Sequence, residues 1–254
     1  MIAAVDRLRN QAVVSHFAAA AVWGLDVWRP WPTTIDVLVP RGAGRSSGSF
    51  RRHGCDFERH ESVPFGRHLI TTPAQTAIDI ATLVPFPEGV VTIDSLLRSH
   101  RHGDAIHQEL DAAIDRVGGL PGTRRAVASR RFADPRSESA LESFSRARIA
   151  EFGFPAPELQ TEFAGPGDFR ARVDFWWPGV RVIGEADGHA KYGDEDDPEA
   201  ARRAVLREKS REDTLRRRST GFARWGYDDA VHPTRLQSIL DTAGVPRESR
   251  RLFP

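Results

Sequence analysis

Residues 169–191 read FRARVDFWWPGVRVIGEADGHAK, and their pattern decides how the second half of the chain folds. Two β-rich runs flank Pro178-Gly179, a pair of turn formers. A two-residue turn at that pair sets Trp177 opposite Val180 and Asp174 opposite Ile183. Opposed residues share a face, and each face repeats every second residue. On this register Asp174, Glu185 and Asp187 project from one side. Val173, Phe175, Trp177, Val180, Val182, Gly184 and Ala186 fill the other. A strand pair with one apolar face and three carboxylates near its open end points to a metal site. Pro-Gly suits a type II turn better than the primed turns of tight hairpins. A slip of one residue would separate the acids.

Outside this stretch the composition sets bounds. A chain of 254 residues has room for one large domain or two small ones. The net charge is +1, so no global basic field announces a nucleic-acid binder. Arginine nevertheless far outnumbers lysine and gathers locally. Cys55 is the sole cysteine, which excludes an internal disulfide framework or a cysteine-built zinc site and fits a reducing cytoplasm. No adjacent pattern of histidine and base activates it, so it reads as inert. The opening MIAAVDRLRN is too polar and too short for a signal peptide, and no apolar run reaches membrane-spanning length. The expected location is cytoplasmic, with no membrane partner.

The order of elements follows from periodicity and punctuation. Residues 1–25 read as helix, with Ser15 as N-cap and Gly24 as stop. Residues 34–39 (TIDVLV) read as a strand, 41–49 as a basic loop and 50–69 as two or three short strands. Thr72-Pro73 is an N-cap followed by an N1 proline, opening a helix through Leu83. Helices are expected over 88–99, 104–117 and 121–131. Asp79, inside an apolar helix, reads as a hydrogen-bonded structural acid. The stretch 133–136 (ADPR) is the expected domain junction. A helix over 137–152 carries Glu138 and Glu142 on one face. A strand over 159–163, the opening hairpin, a charged helix over 199–218, a strand over 221–227 and a helix over 234–243 complete the chain. The result is an α/β (α+β) protein with a mixed central sheet flanked by helices.

Hydrolysis of a phosphodiester calls for a metal that activates water and stabilises charge on phosphate. Magnesium takes oxygen ligands, often one or two carboxylates plus waters. Asp174 and Glu185 supply such oxygens from adjacent strands, and Glu142 is the helix acid able to join them. Lys191 and Lys209 are the cations available to stabilise charge. Against this stand plainer roles: carboxylates paired with nearby arginines, and Glu138 and Glu142 as first-turn acids complementing a helix dipole.

Glu138 to Glu142, RVDFWWPG, VIGEADGHAKY and REKSREDTLRRRSTGFARWGY, in that order, resemble the domain of unknown function related to the very-short-patch-repair endonucleases. That family lies within the restriction-endonuclease-like, PD-(D/E)XK superfamily, and the resemblance covers about 135–233. It implies a mixed sheet flanked by helices, with Glu142 as helix acid, Asp174 as first strand acid and Glu185 as second. The lysine expected two residues after Glu185 is Asp187 here. The first half, through SHFAAAAVWGLDVW, TIDVLVP and LITTPAQTAIDIATL, resembles AbiEi-type antitoxins of type IV toxin–antitoxin systems. Such antitoxins usually begin with a DNA-binding winged helix, and the matched part is not expected to include a complete one.

The expected organisation is an antitoxin-like α/β region over 1–132, a restriction-endonuclease-like domain over 133–245 and a tail over 246–254. The expected activity is cleavage of DNA phosphodiesters with Mg²⁺ or Mn²⁺. Glu142, Asp174 and Glu185 would hold metal, and Asp187, Lys191 and Lys209 would complete the catalytic set. The alternative is a non-catalytic DNA-binding antitoxin or transcriptional regulator, partnered by a toxin or another protein. A third possibility is a protein–protein adaptor with the sheet as scaffold.

Overall fold

The computed structural model describes residues 13–42, 48–100, 103–165, 169–188, 202 and 209–247. The fold is mixed α/β, with two mixed sheets and helices flanking them. The chain divides into two compact units, Met1–Ser143 and Phe144–Pro254. The division falls later than the expected junction at 133–136, inside a helix that runs from Ala140 to Glu151.

The first unit holds strands β1 (Val13–Val14), β2 (Ile35–Pro40), β3 (Phe50–Cys55), β4 (Ser62–Phe65) and β5 (His68–Thr71). They form one sheet in the order β3-β2-β1-β5-β4. Its helices are α1 (His16–Trp23), α2 (Pro73–Leu83), α3 (Phe86–Ser99), α4 (Ala105–Arg116) and α5 (Thr123–Phe132). The helix expected over 1–25 is thus a strand followed by a shorter helix in its described part; residues 1–12 lie outside the described residues. β1 is short but central, paired antiparallel with β2 and parallel with β5. The opening of α2 follows the sequence: Thr72 Oγ1 accepts a bond from Gln75 N at 3.3 Å, and Pro73 takes the first helical position, where no N–H is needed. Phe17, Ile78, Ile80, Ile93, Leu96, Leu97 and Leu110 build the helical core of this unit. Val14, Ala18, Ala19, Val37 and Ile70 form a second cluster.

The helix across the division is α6 (Ala140–Glu151). The second unit continues with β6 (Glu158–Ala164), β7 (Arg170–Trp177), β8 (Val182–Ala186), β9 (Gly221–Trp225), α7 (Tyr227–Val231) and α8 (Pro233–Ala243). Residues 209–216, part of the expected charged helix, are helical. The sheet order is β6-β7-β8-β9, with β8 and β9 parallel and the other pairs antiparallel. The helix α7 had no signal in the sequence pattern.

The hairpin register differs from expectation. Trp177 pairs with Val182, Trp176 with Ile183 and Phe175 with Gly184. Pro178, Gly179, Val180 and Arg181 form the loop, closed by bonds from Val180 N to Trp177 O and from Arg181 N to Pro178 O, both 3.3 Å. Arg181 takes a left-handed φ of 54°, which a two-residue turn did not anticipate. Val180 therefore belongs to the loop and not to the apolar face.

Nor does β7 keep a single apolar face. Ala171 and Val173 cluster with Ile183 and Leu215, and Trp176 and Phe222 pack against that cluster. Phe175 stacks on Trp225 with ring centroids 5.3 Å apart and on Trp177 at 6.3 Å. An unbroken strand cannot place Val173 and Trp176 on the same side. The switch of sides falls at Asp174. Leu159 pairs with Phe175 and Thr161 with Val173, and the ladder register passes over Gln160, with φ 54°, and Asp174 between them. Such a local break re-aims one side chain out of the regular pleat.

Candidate functional site

The break at Asp174 decides where its carboxylate goes. Asp174 Oδ2 accepts a bond of 2.9 Å from Ala186 N, and Gln160 Nε2 lies 3.4 Å from Oδ1. The amide it takes belongs to the peptide that joins Glu185 to Ala186. Asp174 is thereby held against the backbone beside Glu185, across adjacent strands.

Glu185 sits in β8 between Gly184 and Ala186, with only 4% of its surface exposed. A buried carboxylate needs counter-charge and hydrogen bonds to be tolerated. Two arginines provide them. Arg211 Nη2, from the helical stretch 209–216, donates to Glu185 Oε1 at 2.8 Å and also to Arg172 O at 2.7 Å. Arg224 Nη2, from β9, donates to Glu185 Oε2 at 2.8 Å. Arg224 further reaches Asp187 Oδ2 at 3.1 Å and Glu212 Oε2 at 3.3 Å. Glu212 in turn accepts from Arg216 Nε at 2.7 Å. Partial burial works against the Arg224 charge, but the bond to Glu185 and the carboxylates of Asp187 and Glu212 outweigh it and raise its pKa above the ordinary arginine value. Glu212 is shifted down, first by its bond to Arg216. The counter-charges of Glu185 are thus Arg211 and Arg224.

The remaining expected residues are placed as follows. Asp187 follows β8, with its side chain 53% exposed and paired to Arg224. Lys209 is exposed at the start of the described helical stretch. Lys191 lies outside the described residues. Glu142, within the first unit, caps α6: its Oε2 accepts from Glu138 N at 2.8 Å and its Oε1 from Ser139 Oγ at 2.8 Å, while Ser139 Oγ accepts from Glu142 N at 3.1 Å. Ser139-Ala140-Leu141-Glu142 carries the S-x-x-E capping pattern, with Ser139 Oγ capping Glu142 N as that pattern implies and Glu142 reaching back to the Ser139 hydroxyl and, one residue earlier, to Glu138 N. Among the described residues no group of three or more His, Cys, Asp or Glu side chains is placed to hold a metal ion. Asp174 and Glu185 are the oxygen donors that fit magnesium by type. A cation taking Glu185 must first displace at least one guanidinium.

Trp177 and Trp225 are core residues, each 2% exposed. Trp225 Nε1 donates to Ser145 Oγ at 2.8 Å, and Trp177 Nε1 donates to Pro155 O at 2.8 Å. They hold the sheet from the face opposite the acids. The residue that sequence reasoning missed is Arg224. Its signal was its place two residues after Phe222 in a strand that pairs with β8, a relation visible only once the parallel register is known.

No helix among the described residues is long and apolar enough to cross a membrane. Two curated proteins of Mycobacterium tuberculosis, from strains CDC 1551 / Oshkosh and ATCC 25618 / H37Rv, are similar to the chain; each is described as an uncharacterized protein. Each is 35% identical over 185 residues, which is 72% of this chain and 66% of the relative, just under two thirds of its length. No protein-family model matches the chain. No solved structure matches it significantly.

Proposed function

We propose that the second unit is a restriction-endonuclease-like domain that acts on DNA phosphodiesters with Mg²⁺ or Mn²⁺ held by Asp174 and Glu185. The observation that carries this reading is the bond from Ala186 N to Asp174 Oδ2, which fixes one carboxylate beside the other on adjacent strands. A divalent ion there would supply Lewis-acid stabilisation of phosphate and activation of water. This chain's own residues do the rest. Ala186 N and Gln160 orient Asp174. Arg211 and Arg224 neutralise Glu185, and once released from it they are donors suited to phosphate oxygens. Lys191 and Lys209 remain the lysines available to the site. The test is nicking of supercoiled plasmid with Mg²⁺ or Mn²⁺: the wild type nicks, and Asp174→Ala loses at least about 100-fold of the rate. Equal activity of the two sinks the catalytic claim.

A second reading has its own support. Glu185 already carries two guanidiniums, and Asp187 stands where the resemblance leads one to expect lysine. Both features suit a DNA-binding antitoxin or regulator that does not cut, with a toxin or other protein as partner. It requires salt-sensitive DNA binding that survives Glu185→Ala.

A further inference from the structure

The first unit holds a cleft that the candidate metal centre does not use. One wall is the loop after α1, where Pro30 and Pro32 lock their own φ angles. The loop is tied to α3 at three places. Asp26 N donates to Ser95 Oγ at 2.9 Å, and Arg98 Nη2 donates to Asp26 Oδ2. Arg29 grips Glu88 with two bonds, Nε to Oε2 and Nη2 to Oε1, the second at 3.0 Å. A wall held in this way keeps its shape before any ligand arrives. Phe17 of α1, Arg51 of β3, and Leu83 and Val84 at the end of α2 complete the cleft. Its volume is about 520 Å³, inside the range of about 300–1,000 Å³ usual for small-molecule sites.

The lining divides into an apolar floor and a charged side. Phe17 and Val84 are 6% and 4% exposed. Leu83, which lines the cleft, and Trp31, between the two lining prolines, are large apolar side chains left open to solvent. Apolar exposure gathered at a cleft marks a binding surface. Two guanidiniums line the cleft and no carboxylate does among the described residues. Their situations differ. Arg29 has spent a bidentate pair on Glu88. Arg51 stands beside Asp36 through the parallel register of β2 and β3, but its Nη1 is 3.8 Å from Asp36 Oδ1, too far for a hydrogen bond. That oxygen already lies 2.7 Å from His53 Nε2. Asp36 is fully buried, and Arg51, with 45% of its side chain exposed, is the open end of the pair. Among the described residues Arg51 makes no hydrogen bond. The last carbonyls of α2 would oppose an anion, but Thr82 O already accepts from Arg125 Nη2 at 2.6 Å.

We propose that this cleft binds a small aromatic carboxylate, with its ring on the floor of Phe17 and Val84 and its carboxylate on the Arg51 guanidinium. The planar fork of a guanidinium matches a carboxylate with two parallel bonds. One fork with donors to spare suits one carboxylate; a phosphate dianion would call for more cations than Arg51 supplies. Flat ring faces at Phe17, Pro30 and Pro32 suit a planar ring. Burial of that ring supplies affinity, and the charged bond fixes its orientation. Arg29 acts through the loop that it holds to Glu88, so it is a positioning residue. No residue of the second unit takes part.

Isothermal titration of the full chain with three probes that share one ring provides the test: indole-3-acetate, indole-3-acetamide and tryptamine, which are anionic, neutral and cationic. Indole-3-acetate should bind with a Kd below about 1 mM, the amide at least about tenfold more weakly and tryptamine more weakly still. Arg51→Gln should remove the preference for acid over amide. Arg51→Lys, which keeps the charge and loses the fork, should retain part of it. Leu83→Trp fills the cleft from its exposed wall and should weaken acid binding at least about tenfold with Arg51 intact. Equal affinities for acid and amide overturn the proposal. So does acid binding unchanged by Arg51→Gln or by Leu83→Trp, and so does the absence of acid binding at about 5 mM. Should Arg51→Gln fail to fold, the wild-type ratio of acid to amide and the Leu83→Trp variant decide.

Discussion

Glu185 and Arg224 stand side by side on parallel strands, and Arg224 Nη2 donates to Glu185 Oε2 at 2.8 Å. The pairing is a consequence of register: β8 and β9 run parallel from Val182 opposite Gly221, so the only acid of β8 meets the only cation of β9. Arg211 takes the other oxygen. The two arginines make a buried glutamate tolerable, and they also stand where a cation would have to enter. A metal ion bound there would therefore compete with the two guanidiniums for the same two oxygens.

Removing one partner exposes that competition. Arg224→Ala leaves Glu185 buried with Arg211 alone, and Asp187 and Glu212 lose a shared counter-charge. Breaking a fully buried pair costs about 3–5 kcal/mol; the partial exposure of Arg224 brings the expected loss down to about 2 kcal/mol. Urea unfolding measures it. If Asp174 and Glu185 take Mg²⁺, millimolar Mg²⁺ should restore part of that loss, since a ligand that binds only the folded state stabilises it. No effect of Mg²⁺ on the variant would count against the metal reading.

Gly184 lies where three aromatic residues converge. A Cβ there would stand 2.8 Å from Trp225 Cη2, 3.0 Å from Trp177 Cζ3 and 3.1 Å from Phe175 Cβ. Two of the three neighbours are indole rings buried to 2% exposure, and neither can move freely. Gly184→Ala should therefore destabilise the second unit by about 1–3 kcal/mol through overpacking, although alanine is otherwise the better strand residue. Calorimetric melting of the variant checks this; a gain in melting temperature would refute it.

The legible parts of this chain are those where local chemistry acts alone. Thr72-Pro73 announced α2 because cap and N1 proline satisfy backbone groups within one turn. The same logic shows Glu142 as a capping residue, though its spacing from Glu138 also matched an acidic site. The hairpin was legible as two strands but not in register, because Arg181 adopts a left-handed conformation that neither periodicity nor Pro-Gly chemistry signals. The break at Asp174 was illegible for a related reason. It depends on Gln160 in another strand, and the pattern of apolar residues through β7 continues across it unchanged. Arg224 and the His60–Asp79 pair were invisible because each is defined by contacts between elements far apart in the chain.

Trp225 and Ser145 test how tightly the sheet is held by α6. Their bond is buried, at 2.8 Å, and each is the other's partner across 80 positions of chain. Ser145→Ala strands an indole N–H, and Trp225→Phe strands a hydroxyl and leaves space beside Phe175. Each single change should cost about 1–3 kcal/mol, the range for an unsatisfied buried group. The double variant should cost less than the sum, because the second change removes a group already orphaned. Strict additivity in a denaturant cycle would mean that the bond contributes nothing.

The two histidines of the first unit predict a stability maximum between two limbs. His16 is 5% exposed, stacked on His53 at 3.8 Å, with Nδ1 2.9 Å from Ser15 Oγ. Burial first, then the charges of His53, His60 and Arg51, push its pKa well below the ordinary 6.5. As pH falls through that value the unfolded chain takes up a proton that the folded His16 refuses, so stability declines on the acid side. His60 behaves oppositely: burial works against its charge, but its interactions, first the bond between Nδ1 and Asp79 Oδ1 at 3.1 Å, outweigh burial. Its pKa of about 9 means that the folded state keeps a proton the unfolded chain releases near 6.5. Its contribution, on the order of 3 kcal/mol, is complete below about pH 6.5 and is lost as pH rises toward 9. The first unit should be most stable near pH 6.5. Hydrogen exchange at the buried Ile78 and Ile93 amides reads this unit separately from the other. His60→Gln should flatten the alkaline limb. His16→Asn should flatten the acid limb, since asparagine tolerates the left-handed φ of 47° at that position and carries no titrating proton. Stability that rises steadily from pH 5 to pH 9 would show that His60 is not charged in the folded protein.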